Sequence, residues 1–444
     1  MLNTRCKRTS SSLLVTIKTL IAACLISYCS YADTTIQTIP EQTAPEQTAP
    51  EHTAVKQIKT QPTDGDPDRY KKSSPYYFLD KHVSFYFVSK KTKTLTEQQK
   101  KNIVLILSID GGGIYGIIPG MVLEDIENKT NIKTANLFNV IAGTSTGSIL
   151  ASILTMPDGS DTPKYTAKEA TNFYYENGGY IFHRSYWQKI TSLWGLAKPK
   201  FSSKHISKVF NKVYKDIKLS QLLGNVLIPC GTLPDGYPLW LYSEEARHND
   251  QKDFYMKDSI LSSTAIPSMF KPYKLQNINK SWHTYATDAG TFINNPTLQA
   301  YLYAKAQYPN HQYIIVSLGT GRPKLPSNLR KNSSFKSQGL LEAIIPAIET
   351  ARKSSSMQTD IQLRMITKED KSPLLAYYRF NIQHTENEKN SAFNGTDENM
   401  IYITNLGREL IASSKDEMES LISILNSIES AKKIAPNHLK HDAK

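Results

Sequence analysis

The stretch IVLILSIDGGGIYGIIPG, residues 103–120, decides how this sequence folds. Its first seven residues are apolar except for Ser108, as in a β-strand that is buried on both faces. Three glycines follow Asp110, and the helical pattern after them carries Pro119 in its first turn, where proline is tolerated. The stretch therefore predicts a buried strand, a glycine loop and a helix.

The same alternation of strand and helix continues along the chain. LFNVIAG (137–143) predicts a second strand, and SILASILTM (148–156) predicts a second helix. Later apolar runs add strands at 225–233, 238–243 and 313–321. Strands that alternate with helices and end at glycines indicate an α/β fold built in layers around a sheet. After Leu340 the pattern is mainly helical.

The first 32 residues resemble an export signal. Basic residues precede an apolar run, and Ser30 and Ala32 are small enough for a peptidase site after Ala32. Export to the periplasm or medium is the expectation, and a lipoprotein anchored at Cys24 is the alternative. Cleavage leaves Cys230 as the single cysteine, which excludes a disulfide framework and a cysteine metal site.

Composition divides the remainder of the chain. Residues 33–74 repeat a proline-containing unit, PEQTA, and indicate a disordered linker. An aromatic edge segment (75–101) is expected before the catalytic domain (102–415), with a last helix and basic tail over 416–444. Loss of the leader's four basic residues lowers the formal charge from +13 to +9. A basic chain favours an acidic partner, such as an anionic membrane.

The glycine loop allows two interpretations. Gly111, Gly113 and Gly116 match the G-x-G-x-x-G dinucleotide fingerprint, but the next strand runs into Thr144 and Ser145 instead of ending at a ribose-binding acid. No GK[ST] follows, which excludes a triphosphate loop. In the other interpretation, backbone amides of the loop form an oxyanion hole, with a helix N-terminus behind them.

An oxyanion hole requires a nucleophile, and the next strand supplies a candidate. GTSTG (143–147) is a G-x-S-x-G sequence between a strand and a helix, which is the setting of a nucleophile elbow with Ser145 at its apex. A serine also needs a base. Asp288 follows a short predicted strand and precedes Ala289 and Gly290.

Together these stretches resemble the patatin-like phospholipases, a family of lipid acyl hydrolases. The similar motifs are DGGGIYGIIPG (110–120), FNVIAGTSTGS (138–148) and DAG (288–290), and further similar stretches lie at 262–270, 294–296, 316–321 and 377–382. The resemblance covers about residues 102–411. It implies a three-layer α/β/α sandwich with a mostly parallel central sheet and a helical C-terminal part.

The resemblance also implies a function and a set of site residues. Ser145 would be the nucleophile, Asp288 the base, and the amides of Gly111, Gly112 and Gly113 the oxyanion hole. The substrate would be a phospholipid or other acyl lipid, with no metal or cofactor. Acyl transfer through the same acyl-enzyme, a weakly active lipid- or protein-binding module, and dependence on a protein activator stay open.

One departure from the family concerns the glycine loop. Tyr115 stands where the family usually has an arginine, so a hydrogen-bond donor replaces a positive charge on the oxyanion side.

The alternative to a Ser–Asp dyad is a Ser–Asp–His triad completed by His311 or His384, although neither histidine has a recognisable catalytic setting. The Ser–Asp dyad is the preferred interpretation.

A basic aromatic stretch, residues 182–218, is the candidate membrane contact. Lys204, Lys208 and Lys212 share one face of a predicted helix, and Trp187 and Trp194 lie upstream. A surface helix with a solvated lysine face is the simpler interpretation. A membrane-facing flap, with lysines near anionic headgroups, is the functional one. No nucleic-acid recognition module accompanies the charge, so nucleic acid is not an expected partner.

Overall fold

Strand β2, the apolar run at residues 103–109, lies in the middle of the sheet. The computed structural model describes residues 86–88, 95–183, 199–323, 340–385 and 389–433. The expected leader and linker, Trp187 and Trp194, and the tail after residue 433 lie outside these residues. The described strands are β1 (Tyr86–Val88), β2 (Ile103–Ile109), β3 (Val140–Gly143), β4 (Asn225–Leu233), β5 (Pro238–Tyr242), β6 (Tyr273–Gln276), β7 (His283–Asp288), β8 (Gln312–Leu318), β9 (Arg322–Pro323), β10 (Leu374–Phe380) and β11 (Gln383–His384).

The central sheet is mixed and mostly parallel. Over the described strands its order is β1-β10-β8-β2-β3-β4-β7-β6, with β5 also paired to β4. Neighbouring strands from β10 to β4 in this order are parallel, whereas β1, β5, β7 and β6 pair antiparallel with their neighbours. This topology confirms the predicted fold class.

Helices cover both faces of the sheet. The described α-helices are α1 (Glu97–Lys101), α2 (Ile117–Thr130), α3 (Thr134–Leu137), α4 (Thr146–Leu154), α5 (Ala167–Ile181), α6 (Ser203–Tyr214), α7 (Ser243–His248), α8 (Met256–Ser263), α9 (Thr297–Gln307), α10 (Leu340–Lys368), α11 (Asp397–Ser413) and α12 (Lys415–Lys433).

Two apolar clusters show how the layers pack. Leu105 and Leu107 of β2 contribute to the larger cluster, which also contains buried residues of α2, α4, α5, α6, α8, α11 and α12. Val104 and Ile106, which alternate with them, contribute to the smaller cluster beneath α9 and α10. A strand that is buried on both faces therefore joins the two cores, and the fold has three layers.

The C-terminal part is helical, as expected, but it also supplies a strand of the sheet. Helices α10, α11 and α12 lie in this part, and β10 lies between α10 and α11 and pairs parallel with β8. All seven residues of β10 are buried, Arg379 among them. Within the described residues, every helix is too short or too polar to span a bilayer.

Candidate active site

Ser145 lies at the apex of a sharp turn between β3 and α4. Its backbone has φ 52° and ψ −116°, a conformation that costs a non-glycine residue energy and is typical of a nucleophile elbow. The turn depends on two glycines, because a Cβ on Gly143 would lie 2.1 Å from the Gly147 carbonyl oxygen, and a Cβ on Gly147 would lie 2.2 Å from that of Ile109. The Ser145 amide donates to Ser263 Oγ at 3.2 Å.

The glycine loop lies beside this turn. A Cβ on Gly111 would lie 3.4 Å from the Cβ of Ser145, and a Cβ on Gly112 would lie 2.2 Å from Thr320 Oγ1. Gly113 has φ +57°, and a Cβ there would lie 2.2 Å from the Ala392 carbonyl oxygen. Only glycine fits these positions, which lets the loop backbone approach the serine closely.

The hydrogen bonds of the loop correct one expectation. The Gly111 amide donates to the Asn294 carbonyl at 3.0 Å, so it is already used and does not point to a reacting oxygen. Among the described residues, the amides of Gly112 and Gly113 have no such acceptor. The amides that can bind an oxyanion in this loop are therefore those of Gly112 and Gly113.

Asp288 ends β7 and lines the same cavity as Ser145. The Gly290 amide donates to Asp288 Oδ1 at 2.6 Å. Asp288 is almost fully buried, and burial raises the pKa of its carboxyl to about 6, partly offset by the Ser145 side chain and the Gly290 amide. A buried carboxyl with a raised pKa next to a serine is a candidate general base.

Stretches that are distant in sequence position the glycine loop, the Ser145 turn and Asp288 through hydrogen bonds. The Ala265 carbonyl accepts from the Asp288 amide at 3.0 Å and from Thr287 Oγ1 at 2.9 Å. Thr320 Oγ1 donates to the Gly111 carbonyl at 2.7 Å, and Thr144 Oγ1 donates to the Ile293 carbonyl at 2.8 Å. The stretches 262–270, 294–296 and 316–321 therefore position the glycine loop, the elbow and the aspartate.

A cavity of about 200 Å³ opens over the serine. Ser145, Asp288 and the three loop glycines line it, and most of its remaining wall is apolar. Among the described lining residues, Asp288 and Arg352 of α10 carry the formal charges. Such a cavity, apolar with a few convergent polar groups, suits the acyl chain of an ester.

Tyr115 and His384 form one side of this cavity. Both are buried, and their rings lie 4.5 Å apart between centroids at an angle of 30°. Burial lowers the pKa of His384 to about 4, so its imidazole is neutral at neutral pH. His384 lines the cavity beside Tyr115.

A buried ion pair stands behind the glycine loop. Arg379 of β10 donates through Nη2 to Asp110 Oδ2 at 2.5 Å and through Nη1 to Asp110 Oδ1 at 2.9 Å. Nη1 also donates to Ser317 Oγ at 2.8 Å. Burial raises the pKa of Asp110, and Arg379 opposes that rise. The pair links β10 to the residue that precedes Gly111.

The predicted membrane lysines lie outside the cavity wall. Lys204, Lys208 and Lys212 are exposed on α6, whose opposite face buries Val209 and Phe210.

Within the described residues, no three His, Cys, Asp or Glu side chains are grouped to hold a metal ion. Arg352 and Arg379 were not predicted as site residues from the sequence. Arg379 had a signal, a charged residue inside the apolar run LLAYYRF, whereas Arg352 had none.

The comparison with known families agrees with this geometry. The family model described as patatin-like phospholipase matches residues 107–301, which include the glycine loop, Ser145 and Asp288. Over these residues the chain is similar to the patatin-like phospholipases.

Similarity extends to curated plant members of that family. Patatin-like protein 4 of Arabidopsis thaliana is 32% identical over 50% of this chain and 61% of its own length, so the match spans less than two thirds of that relative. Patatin-like protein 2 of the same plant is 29% identical over 70% of this chain and 83% of its own length. A third relative, at 26% identity over 61% of this chain and 75% of its own length, is named probable inactive patatin-like protein 9. The patatin-like phospholipases are lipid acyl hydrolases.

Proposed function

We propose that the protein is an exported lipid acyl hydrolase of the phospholipase A type, which cleaves acyl esters of membrane lipids through Ser145 and Asp288. The observation that carries this proposal is that Ser145, at the apex of its strained turn, lines one cavity with the buried Asp288 carboxyl and with the available amides of Gly112 and Gly113. That cavity is largely apolar.

The reaction follows from these groups. Ser145 Oγ attacks the ester carbonyl carbon while its proton passes to Asp288, and the amides of Gly112 and Gly113 bind the oxyanion that forms. The ester C–O bond then breaks, and Asp288 returns the proton to the leaving alcohol, which leaves an acyl-Ser145 ester. Water attacks that ester by the same steps in reverse and releases the fatty acid.

A membrane surface is the partner that this substrate requires. The residues just before α6 are hydrogen-bonded to the cavity wall. The Lys200 amide donates to the Ser268 carbonyl and the Phe201 amide donates to the Met269 carbonyl, each at 2.9 Å. Because Ser268 and Met269 line the cavity, α6 begins near it. Lys204, Lys208 and Lys212 on α6 are therefore proposed to attract anionic headgroups.

Exposed apolar side chains support the same orientation. Cys230 pairs with Asp288 across β4 and β7, and further along the same strands Leu233 pairs with Tyr285. Both side chains of that second pair are exposed, and exposed Phe292 packs against Gly231. Tyr285 lies three residues before Asp288 on β7, about 10 Å of strand rise, and Phe292 follows Thr291 of the cavity wall. We propose that the apolar surface formed by Leu233, Tyr285 and Phe292 enters the lipid interface.

Export is proposed from residues 1–32 alone, since they lie outside the described residues. Cell fractionation of the full chain with a C-terminal epitope tests it. A protein shortened by the length of the leader in the periplasm or medium supports export, and a full-length protein in the cytoplasm contradicts it. A lipidated species that loses its label in Cys24→Ser would indicate the anchored alternative.

Fatty-acid release from mixed phospholipid vesicles tests the hydrolase. The wild type should release fatty acid, whereas Ser145→Ala and Asp288→Asn should each lose activity by a factor of about 10³ or more. Ser148→Ala, which changes the neighbouring hydroxyl of the same turn, is the matched control. Reactions with and without a cell extract show whether an activator is needed, and a lysolipid acceptor detects acyl transfer. Equal release by wild type and Ser145→Ala would contradict the proposal.

A further inference from the structure

Arg352 is the feature of the cavity that the proposed reaction does not use. It lies on α10, half-buried, and lines the cavity together with Ile348, which is one helical turn away on the same face. Among the described lining residues it is the one with a positive charge at neutral pH, because His384 is neutral there.

The charge of Arg352 acts on the interior of the site. It lowers the pKa of Asp288 and opposes the effect of burial on Asp110, and it contributes to the low pKa of His384. Three groups on different elements therefore feel the same guanidinium.

We propose that Arg352 binds the phosphate of a glycerophospholipid whose acyl carbonyl lies at Ser145. The proposal rests on the proposed hydrolase function and narrows its substrate class to phosphate-bearing acyl lipids over neutral acylglycerols. A guanidinium presents several N–H donors in a planar fork that matches two phosphate oxygens, and it stays charged at any physiological pH. Because Arg352 and Ser145 line one cavity, a single lipid can reach both residues.

A comparison of two lipids with the same acyl chains tests this subsite. Phosphatidylglycerol carries the phosphate and diacylglycerol lacks it, and both are presented in the same neutral detergent micelles. In Arg352→Gln the ratio of kcat/KM for phosphatidylglycerol to that for diacylglycerol should fall about tenfold or more, mainly through KM. Arg352→Lys should restore part of the ratio. Lys353→Gln removes a positive charge from the next position of α10 and should leave the ratio as in the wild type.

A binding measurement separates this proposal from the hydrolase itself. Ser145→Ala protein is titrated calorimetrically with short-chain phosphatidylglycerol, with and without Arg352→Gln, so that a result is obtained even if no lipid is hydrolysed. Weaker binding in the double variant supports the subsite. An unchanged ratio and unchanged binding would overturn it, and so would equal losses on both lipids. Inorganic phosphate that competes as strongly as the lipid would reassign the subsite to free phosphate.

Discussion

Asp288 carries the pH dependence of the proposed reaction. The carboxyl must be ionised to accept the Ser145 proton, and burial raises its pKa to about 6. The carboxyl is therefore half ionised near pH 6, mostly protonated one unit below and mostly ionised one unit above. The raised pKa also means that the folded state holds this proton more tightly than the unfolded chain does. Stability from this group is therefore present at low pH and is lost as pH rises from about 4 to about 6.

We accordingly expect kcat/KM for a soluble ester to rise about tenfold per pH unit below pH 6 and to level off above it. Initial rates with p-nitrophenyl butyrate across that range measure the midpoint. The charge of Arg352 lowers the pKa of Asp288. Arg352→Gln should therefore move the midpoint of the pH profile upward. A wild-type midpoint near 4, the ordinary value for an aspartate, would show that Asp288 is not the buried base.

At the scale of elements, the Asp110–Arg379 pair joins β10 to the glycine loop. Arg379→Met should lower the free energy of unfolding by about 3–5 kcal/mol, because it leaves a buried carboxylate without its partner. The double variant with Asp110→Asn removes that charge and should recover part of the loss. Urea unfolding measures each value.

An exposed ion pair provides the control for this prediction. Lys129 Nζ lies 2.7 Å from Asp125 Oδ2 on the surface of α2. Lys129→Met should lower the free energy of unfolding by less than about 1 kcal/mol. If Arg379→Met costs no more than Lys129→Met, or if the double variant is less stable than the single one, the Asp110–Arg379 pair does not stabilise the glycine loop.

The elements also show why part of the site was predictable. Strand β2, the glycine loop and the elbow are local in sequence, and the pattern of apolar runs and glycines predicted them together with Ser145. Asp288 was found through the resemblance, since an aspartate before Ala289 and Gly290 could equally cap a turn. Its contact with Ser145 depends on the antiparallel pairing of β7 with β4, which no local pattern encodes.

Long-range pairing explains what the sequence did not reveal. The Gly111 amide is occupied by the Asn294 carbonyl, a contact between residues far apart in the chain. Arg352 reaches the cavity because α10 packs near the loop after β7, and the helical pattern of α10 gives no sign of that neighbour. β10 was missed because it follows a long helix and inserts between β1 and β8.

At the scale of the whole molecule, the charge and the apolar surface make separate contributions to membrane binding. In the proposed membrane contact, the lysines of α6 would act at a distance on anionic headgroups, so their effect would fall with added salt. Leu233, Tyr285 and Phe292 would act by contact with the interface, and their effect would not require anionic lipid. The two surfaces can therefore be distinguished by lipid composition.

We expect the triple variant Lys204→Gln, Lys208→Gln and Lys212→Gln to bind anionic vesicles about a hundredfold more weakly at low salt, because each lysine contributes about 1 kcal/mol. Its binding to neutral vesicles should be the same as that of the wild type. Leu233→Ser, Tyr285→Ser and Phe292→Ser together should weaken binding to both vesicle types. Sedimentation in the Ser145→Ala background keeps the lipid intact. The control is a triple variant that removes the same number of positive charges from other helices, through Lys129→Gln, Lys168→Gln and Lys415→Gln. If this control loses as much binding as the α6 variant, net charge and not the α6 surface drives adsorption, because a localised contact must depend on where the lysines lie.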